Sequence, residues 1–277
     1  MSEAGQNSYL SDEVRRYDYD RWLTAIFAPT AAREGVFALL AFHAEIARIR
    51  ETVSEPMLGD IRLQWWRDAL NSIAGGTSPA HPVAEALARI IPAHNLDIGD
   101  FQTIIDARAY DLDPLPFQTV AELLRYSEQT GGVLNSLFLR ITGVTDGEGL
   151  TAARQVGKAY AFLGIIRSVP YHVAQDVLRI PAEMIAAKGL TPDTLFTSKN
   201  REVFFEIMRE LTELAEGEQA AARELMRTRP KSEKSAYRLA ALTTLYLNRL
   251  RSTGSDPAHE KMDIGALRKI LALTFGR

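Results

Sequence analysis

Apolar residues recur three and four positions apart along almost the whole chain, and that one period restricts it to helices packed on helices. Val14-x-x-Tyr17 and Leu23-x-x-Ile26-Phe27 set the pattern, and Pro29-Thr30 opens a second helix predicted to run through Val53. The same reading predicts helices over 55–75, 83–91, 97–111, 117–142, 149–169, 181–188, 201–228, 232–251 and 263–275. Gly131-Gly132 interrupts the helix over 117–142, where a kink or a close helix–helix approach is expected. Pro170 bends or ends the helix over 149–169, and Gly189 stops the one over 181–188. No stretch alternates with the period of a strand, and no Asn-Gly hairpin signal occurs. The fold class read from this is all-α, ten or eleven helices. No loop is long or biased enough for an interdomain linker, so residues 1–277 are read as one domain.

Composition removes several functions. Lys and Arg number 32 against 35 Asp and Glu, a net charge of −3, which does not fit a dedicated nucleic-acid binder. The chain has no Cys, hence no thiol nucleophile and no cysteine-ligated metal. Its five His are scattered, without the spacing of a zinc site. There is no Gly-x-Ser-x-Gly elbow and no phosphate-binding Gly-x-x-x-x-Gly-Lys loop. The start Met1-Ser2-Glu3-Ala4-Gly5 lacks a basic region before an apolar one, so no secretory signal is read there. The longest apolar runs fall short of the ~20 residues of a membrane span. The expected location is cytoplasmic, with peripheral contact at the inner membrane left open. The basic residues Arg227, Arg229, Lys231, Lys234 and Arg238 are read as a solvated inter-helix face, an acidic or phospholipid partner being the alternative. Trp65 and Trp66 cannot both face one core across ~100° of helix, unless that helix is buried on a wide arc.

Three segments carry a resemblance. The first is Phe37-Ala-Leu-Leu-Ala-Phe-His-Ala-Glu-Ile-Ala47-Arg48-Ile-Arg-Glu51. The second is Tyr126-Ser-Glu-Gln-Thr-Gly-Gly-Val133. The third is Leu163-Gly-Ile-Ile-Arg167-Ser168-Val-Pro-Tyr171-His172, continuing through Arg179-Ile-Pro181. Their order and spacing resemble the squalene/phytoene synthase family, head-to-head prenyltransferases of the all-α isoprenoid synthase fold, over roughly residues 17–250. Leu63-Gln-Trp-Trp-Arg-Asp-Ala-Leu70 is similar to that family's third helix.

In active members, the resemblance implies, aspartates on two facing helices hold magnesium against a diphosphate. Magnesium prefers hard oxygen ligands and needs several of them to stay. Here the paired aspartates of the first motif fall on Ala47 and Arg48, and the third acid is Glu51. In the second motif Arg167 is kept, while the two aspartates fall on Ser168 and His172. The downstream tyrosine falls on Arg179, and Pro181 is retained. One carboxylate therefore remains among the motif positions, and Arg48 is expected to project beside the place where cations would sit. No metal site and no cofactor are expected, magnesium entering only if the chain is an active enzyme.

The pattern Arg167-Ser-Val-Pro-Tyr-His172 and the stretch Gly59-Asp-Ile-Arg-Leu-Gln-Trp-Trp66 are similar to a non-enzymatic branch of the family, which assists assembly of respiratory complex I. The resemblance implies a catalytically silent protein whose partners are complex I subunits or assembly intermediates. The alternative is a magnesium-dependent prenyltransferase acting on polyprenyl diphosphates. A third, less favoured, is a binder of isoprenoid diphosphates that neither reacts nor assembles anything. The parent cavity, if kept, would take an isoprenoid, lipid or quinone tail. The residues implied to surround it are Phe42, His43, Tyr126, Val133, Leu137, Phe162, Arg167 and Tyr171, the apolar ones serving equally well as solid core.

Overall fold

Every regular element of the computed structural model is helical, over the residues it describes, 3–230 and 233–275. Several helices predicted as continuous are split, each at an identifiable residue, so the chain contains more helices than ten or eleven. The first splits into α1 (Glu3–Tyr17) and α2 (Tyr19–Ile26). Asp18 caps α2, its carboxylate accepting from the Arg21 N–H, which makes a new helix start cheaper than continuation.

The second splits at Arg48, whose φ of −95° and ψ of 0° close α3 (Thr30–Ala47) and lead into the single turn α4 (Ile49–Thr52). Next come α5 (Pro56–Ala74), α6 (Pro82–Ala93) and α7 (Ile98–Ala109), the first two with proline in their opening turn, where no N–H is missed. Of the tryptophan pair on α5, Trp66 is buried and Trp65 is 39% exposed.

The helix predicted over 117–142 is α8 (Val120–Ser127) and α9 (Val133–Ile141), joined by a π turn over Glu128–Gly132. The glycines are needed by the neighbouring helix α10 (Gly147–Arg167). A Cβ on Gly131 would sit 2.5 Å from the Gly157 carbonyl oxygen, so the expected close approach is present. Ser168 ends α10, and Pro170 forms the first turn of α11 (Val169–Val173). The short α12 (Ala182–Ala187) and α13 (Pro192–Leu195) precede the long α14 (Arg201–Met226), α15 (Lys234–Ser252) and α16 (Ala266–Phe275).

α3 and α10 run through the middle. Val36 to Phe42 is buried without a break, as is expected of a helix with apolar residues all round. Phe42 packs edge-on against Trp66 and Phe101, at ring distances of 5.3 and 5.2 Å. No described helix is long and apolar enough to cross a membrane.

Among the described residues of the basic stretch leading into α15, two of three are not on a solvated face. Arg229 is nearly buried and pairs with Asp146 (2.7 Å) and Glu233 (2.6 Å). Arg238 lies over the Phe27 ring and donates to the Leu273 carbonyl. Only Arg227 is well exposed, paired with Glu224. Lys231 and the Lys234 side chain lie outside the described residues.

Candidate functional site

A cavity of about 420 Å³ opens where the ends of α3 and α10 face each other, within the range of small-molecule sites. The breaks in those two helices create it. Past Arg48 the α4 turn places Arg50 and Glu51 on one wall, below Ala47. Past Ser168 the α11 turn places Tyr171 and His172 on the other. The Tyr171 hydroxyl donates to Glu51 Oε1 across the mouth (3.2 Å), and the Ser168 hydroxyl turns back to the Gly164 carbonyl (2.8 Å). The motif positions 47, 51, 168 and 172 therefore share one cavity. Arg48 does not. Its guanidinium lies 3.2 Å from the centre of the Tyr17 ring, on the outer side, because the helix break rotates it away. The expectation that it projects beside a cation site is corrected.

The floor is polar and is centred on Arg108, near the end of α7. Arg108 donates to Asp111 Oδ2 (3.0 Å), to the Tyr126 hydroxyl (2.6 Å) and to His43 Nε2 (3.1 Å). The Tyr126 hydroxyl donates in turn to Asp111 Oδ1 (2.7 Å). Burial opposes the Arg108 charge, but Tyr126 and Asp111 hold its pKa above the ordinary value. Burial, helped by the fields of Arg21 and Arg108, pushes His43 well below the usual imidazole range. It is a neutral acceptor at neutral pH. His172 is lowered in the same direction, by burial first and by Arg179 second. Arg21 and Arg179 complete the lining, the former paired with Asp18 (2.8 Å).

Other expected cavity residues are elsewhere. Phe42, Val133, Leu137 and Phe162 are at most 1% exposed and belong to the packed core, because the helix faces that carry them turn toward neighbouring helices. Arg167 lies over the Tyr246 ring (3.4 Å) and 3.9 Å from Asp20, one helix layer behind the wall. His43, Tyr126 and Tyr171 do face the cavity.

Arg21, Arg108 and Asp111 are absent from the residues singled out by sequence, and Arg179 figures there only as a replaced motif tyrosine. The i, i+3 spacing of Arg108 and Asp111 was a signal for a pair, yet on a helix end it reads as solvent-exposed. Arg179 stood in plain view: an arginine at a tyrosine position, inside the apolar run Val177-Leu-Arg-Ile180.

A magnesium cluster does not fit these residues. Of the five motif positions only Glu51 is acidic, and it accepts from Tyr171. The other cavity carboxylate, Asp111, is committed to Arg108 and Tyr126. Among the described residues no group of three or more His, Cys, Asp or Glu is placed to hold a metal ion.

Comparison with known proteins agrees with this architecture. The chain is 28% identical over 263 residues to a NADH dehydrogenase (ubiquinone) complex I assembly factor 6 from Bos taurus, covering 95% of this chain and 79% of the relative. The protein of the same name from Homo sapiens is 31% identical over 198 residues, 72% of this chain and 59% of that one. A crystal structure of a dehydrosqualene synthase superposes with a TM-score of 0.82 at 16% identity, covering 98% of this chain and 95% of the other. At that identity the likeness concerns the fold alone. The squalene/phytoene synthase family model matches residues 14–268, and the chain belongs to that family.

Proposed function

We propose that this protein is a catalytically silent member of its family, acting in the assembly of respiratory complex I at the cytoplasmic face of the inner membrane. The observation that carries the reading is the charge of the cavity. Where a diphosphate-cleaving enzyme needs several carboxylates to seat divalent ions, this cavity presents arginines, and its two acids are engaged. The likeness to complex I assembly factors over nearly the whole chain supports the role, and the partners that this reading implies are complex I subunits or their assembly intermediates.

Two measurements test it. Folded protein incubated with farnesyl or geranylgeranyl diphosphate under saturating magnesium should release no pyrophosphate. Turnover would replace this reading with a prenyltransferase. In a deletion strain, assembled complex I should fall and be restored by the wild-type gene. Unchanged complex I would remove the assembly role whatever the turnover assay gives.

A further inference from the structure

Arg179 lies between α11 and α12 and is 7% exposed. Its NH1 donates to the carbonyls of Asp113 (3.2 Å) and Leu115 (3.5 Å), and its NH2 to that of Asp111 (3.1 Å). No described carboxylate forms an ion pair with it. A guanidinium keeps its charge even when buried. Carbonyl dipoles and the rings of Tyr110 and Phe117, 5.8 and 6.0 Å from its Cζ, offset only part of that charge, and buried charges are ordinarily paired. Two neighbours point the same way. His172 on the same lining has a buried Nδ1 without a partner. Arg50, half-buried on the α4 wall, makes no side-chain hydrogen bond or ion pair among the described residues.

The charges can be counted. Four arginines and two carboxylates line the cavity, and Asp18 neutralises Arg21 from behind the wall. Both histidines are held neutral by burial. One positive charge is left over. A diphosphate, with roughly three negative charges at neutral pH, would leave about two of them uncompensated inside a cleft, where each like-charge contact within ~4 Å costs several kcal/mol. A single negative charge closes the balance. The planar fork of an arginine matches the two oxygens of a carboxylate. Beside Arg179 the lining turns apolar, with Phe117, Ile165 and Val177.

We propose that the cavity binds, without any metal, a small amphiphilic monocarboxylate, its carboxylate drawn to Arg179 and Arg50 beside His172 and its apolar body along Phe117, Ile165 and Val177. This inference goes beyond the assembly role and does not depend on it: it is read by binding, while the role is read by complex I content.

Titration calorimetry in the presence of EDTA provides the test, with decanoate, 1-decanol and farnesyl diphosphate as probes. Decanoate should bind saturably, and decanol, with the same chain and no charge, at least ~10-fold more weakly, or about 1.4 kcal/mol. Arg179→Met should bring decanoate down to the level of decanol. Arg179 also ties down the segment after α7, so Arg50→Gln serves as a second variant. It should weaken decanoate several-fold while leaving decanol binding and the thermal melt unchanged. Equal binding of decanoate and decanol would overturn the proposal, as would no decanoate binding by the folded wild-type protein. Tighter binding of farnesyl diphosphate than of decanoate without metal would also overturn it, since the site would then take a multiply charged anion.

Discussion

Replacing Asp111 by asparagine probes the cavity floor directly. The carboxylate accepts from Arg108 at 3.0 Å and from Tyr126 at 2.7 Å, and the side chains of the ion pair are 16% and 19% exposed. A carboxamide keeps one acceptor oxygen and turns N–H donors toward groups that already donate. One charge-assisted hydrogen bond is lost, worth about 1.5–3 kcal/mol. The guanidinium also loses its compensating charge, and breaking a fully buried pair costs about 3–5 kcal/mol. Residual solvent contact reduces the total to about 2–4 kcal/mol. At about 2–4 °C per kcal/mol for a chain of this size, the thermal midpoint should fall by about 4–16 °C, followed by far-ultraviolet circular dichroism. Combining Asp111→Asn with Arg108→Met should cost less than the two changes summed, by about 1–2 kcal/mol, because the second removes the charge that the first strands. A midpoint within about 2 °C of wild type, or strict additivity, would refute the description of the floor as a buried, mutually dependent network.

Three further outcomes follow from the geometry. Gly157→Ala should destabilise by about 1–3 kcal/mol or more, since its Cβ would meet Gly131 backbone atoms and the Asn135 Cβ at 2.7 Å or less, whereas Gly164→Ala, which meets open space, should be neutral or slightly stabilising in the same denaturant titration. His43 has a folded pKa below its unfolded value of 6.5, so the unfolded state binds more protons and stability is lost as pH falls below about 6.5. The slope, at most about 1.4 kcal/mol per pH unit for this site, should flatten in His43→Gln when denaturation is repeated from about pH 8 to about pH 5. Lys269→Met removes the 2.8 Å pair with Asp20, a contact whose side chains are 13% and 9% exposed. It should cost about 1–3 kcal/mol and speed amide exchange in α16 relative to α15.

The helical class was legible because an apolar period over hundreds of residues is a collective signal. The breaks were legible only in part. Pro170 marked the end of α10, because its ring and missing N–H cannot continue the helix, whereas nothing in the residues around Arg48 signals the end of α3. The core identity of Phe42 and Phe162 was hidden as well. On a helix apolar all round, sequence cannot say which face looks into a hole and which into another helix. The loss of acids at 47, 48, 168 and 172 was readable residue by residue, because it needed only a motif. That Arg108 and Asp111 occupy the floor instead needed the packing of α7 against α3 and α8, which no local pattern encodes.

Asp20 accepts from the hydroxyls of Tyr160 (3.0 Å) and Tyr246 (2.7 Å) and pairs with Lys269, so one side chain near the start of the chain ties α2 to α10, α15 and α16. Its last partner is 249 residues downstream (269 − 20). At about 5–20 residues per second, a ribosome reaches that lysine some 12–50 seconds after the aspartate has been made. Until then Tyr160 and Tyr246 are the partners that Asp20 can reach, so the tie between α2 and α16 can form only after residue 269 has been made.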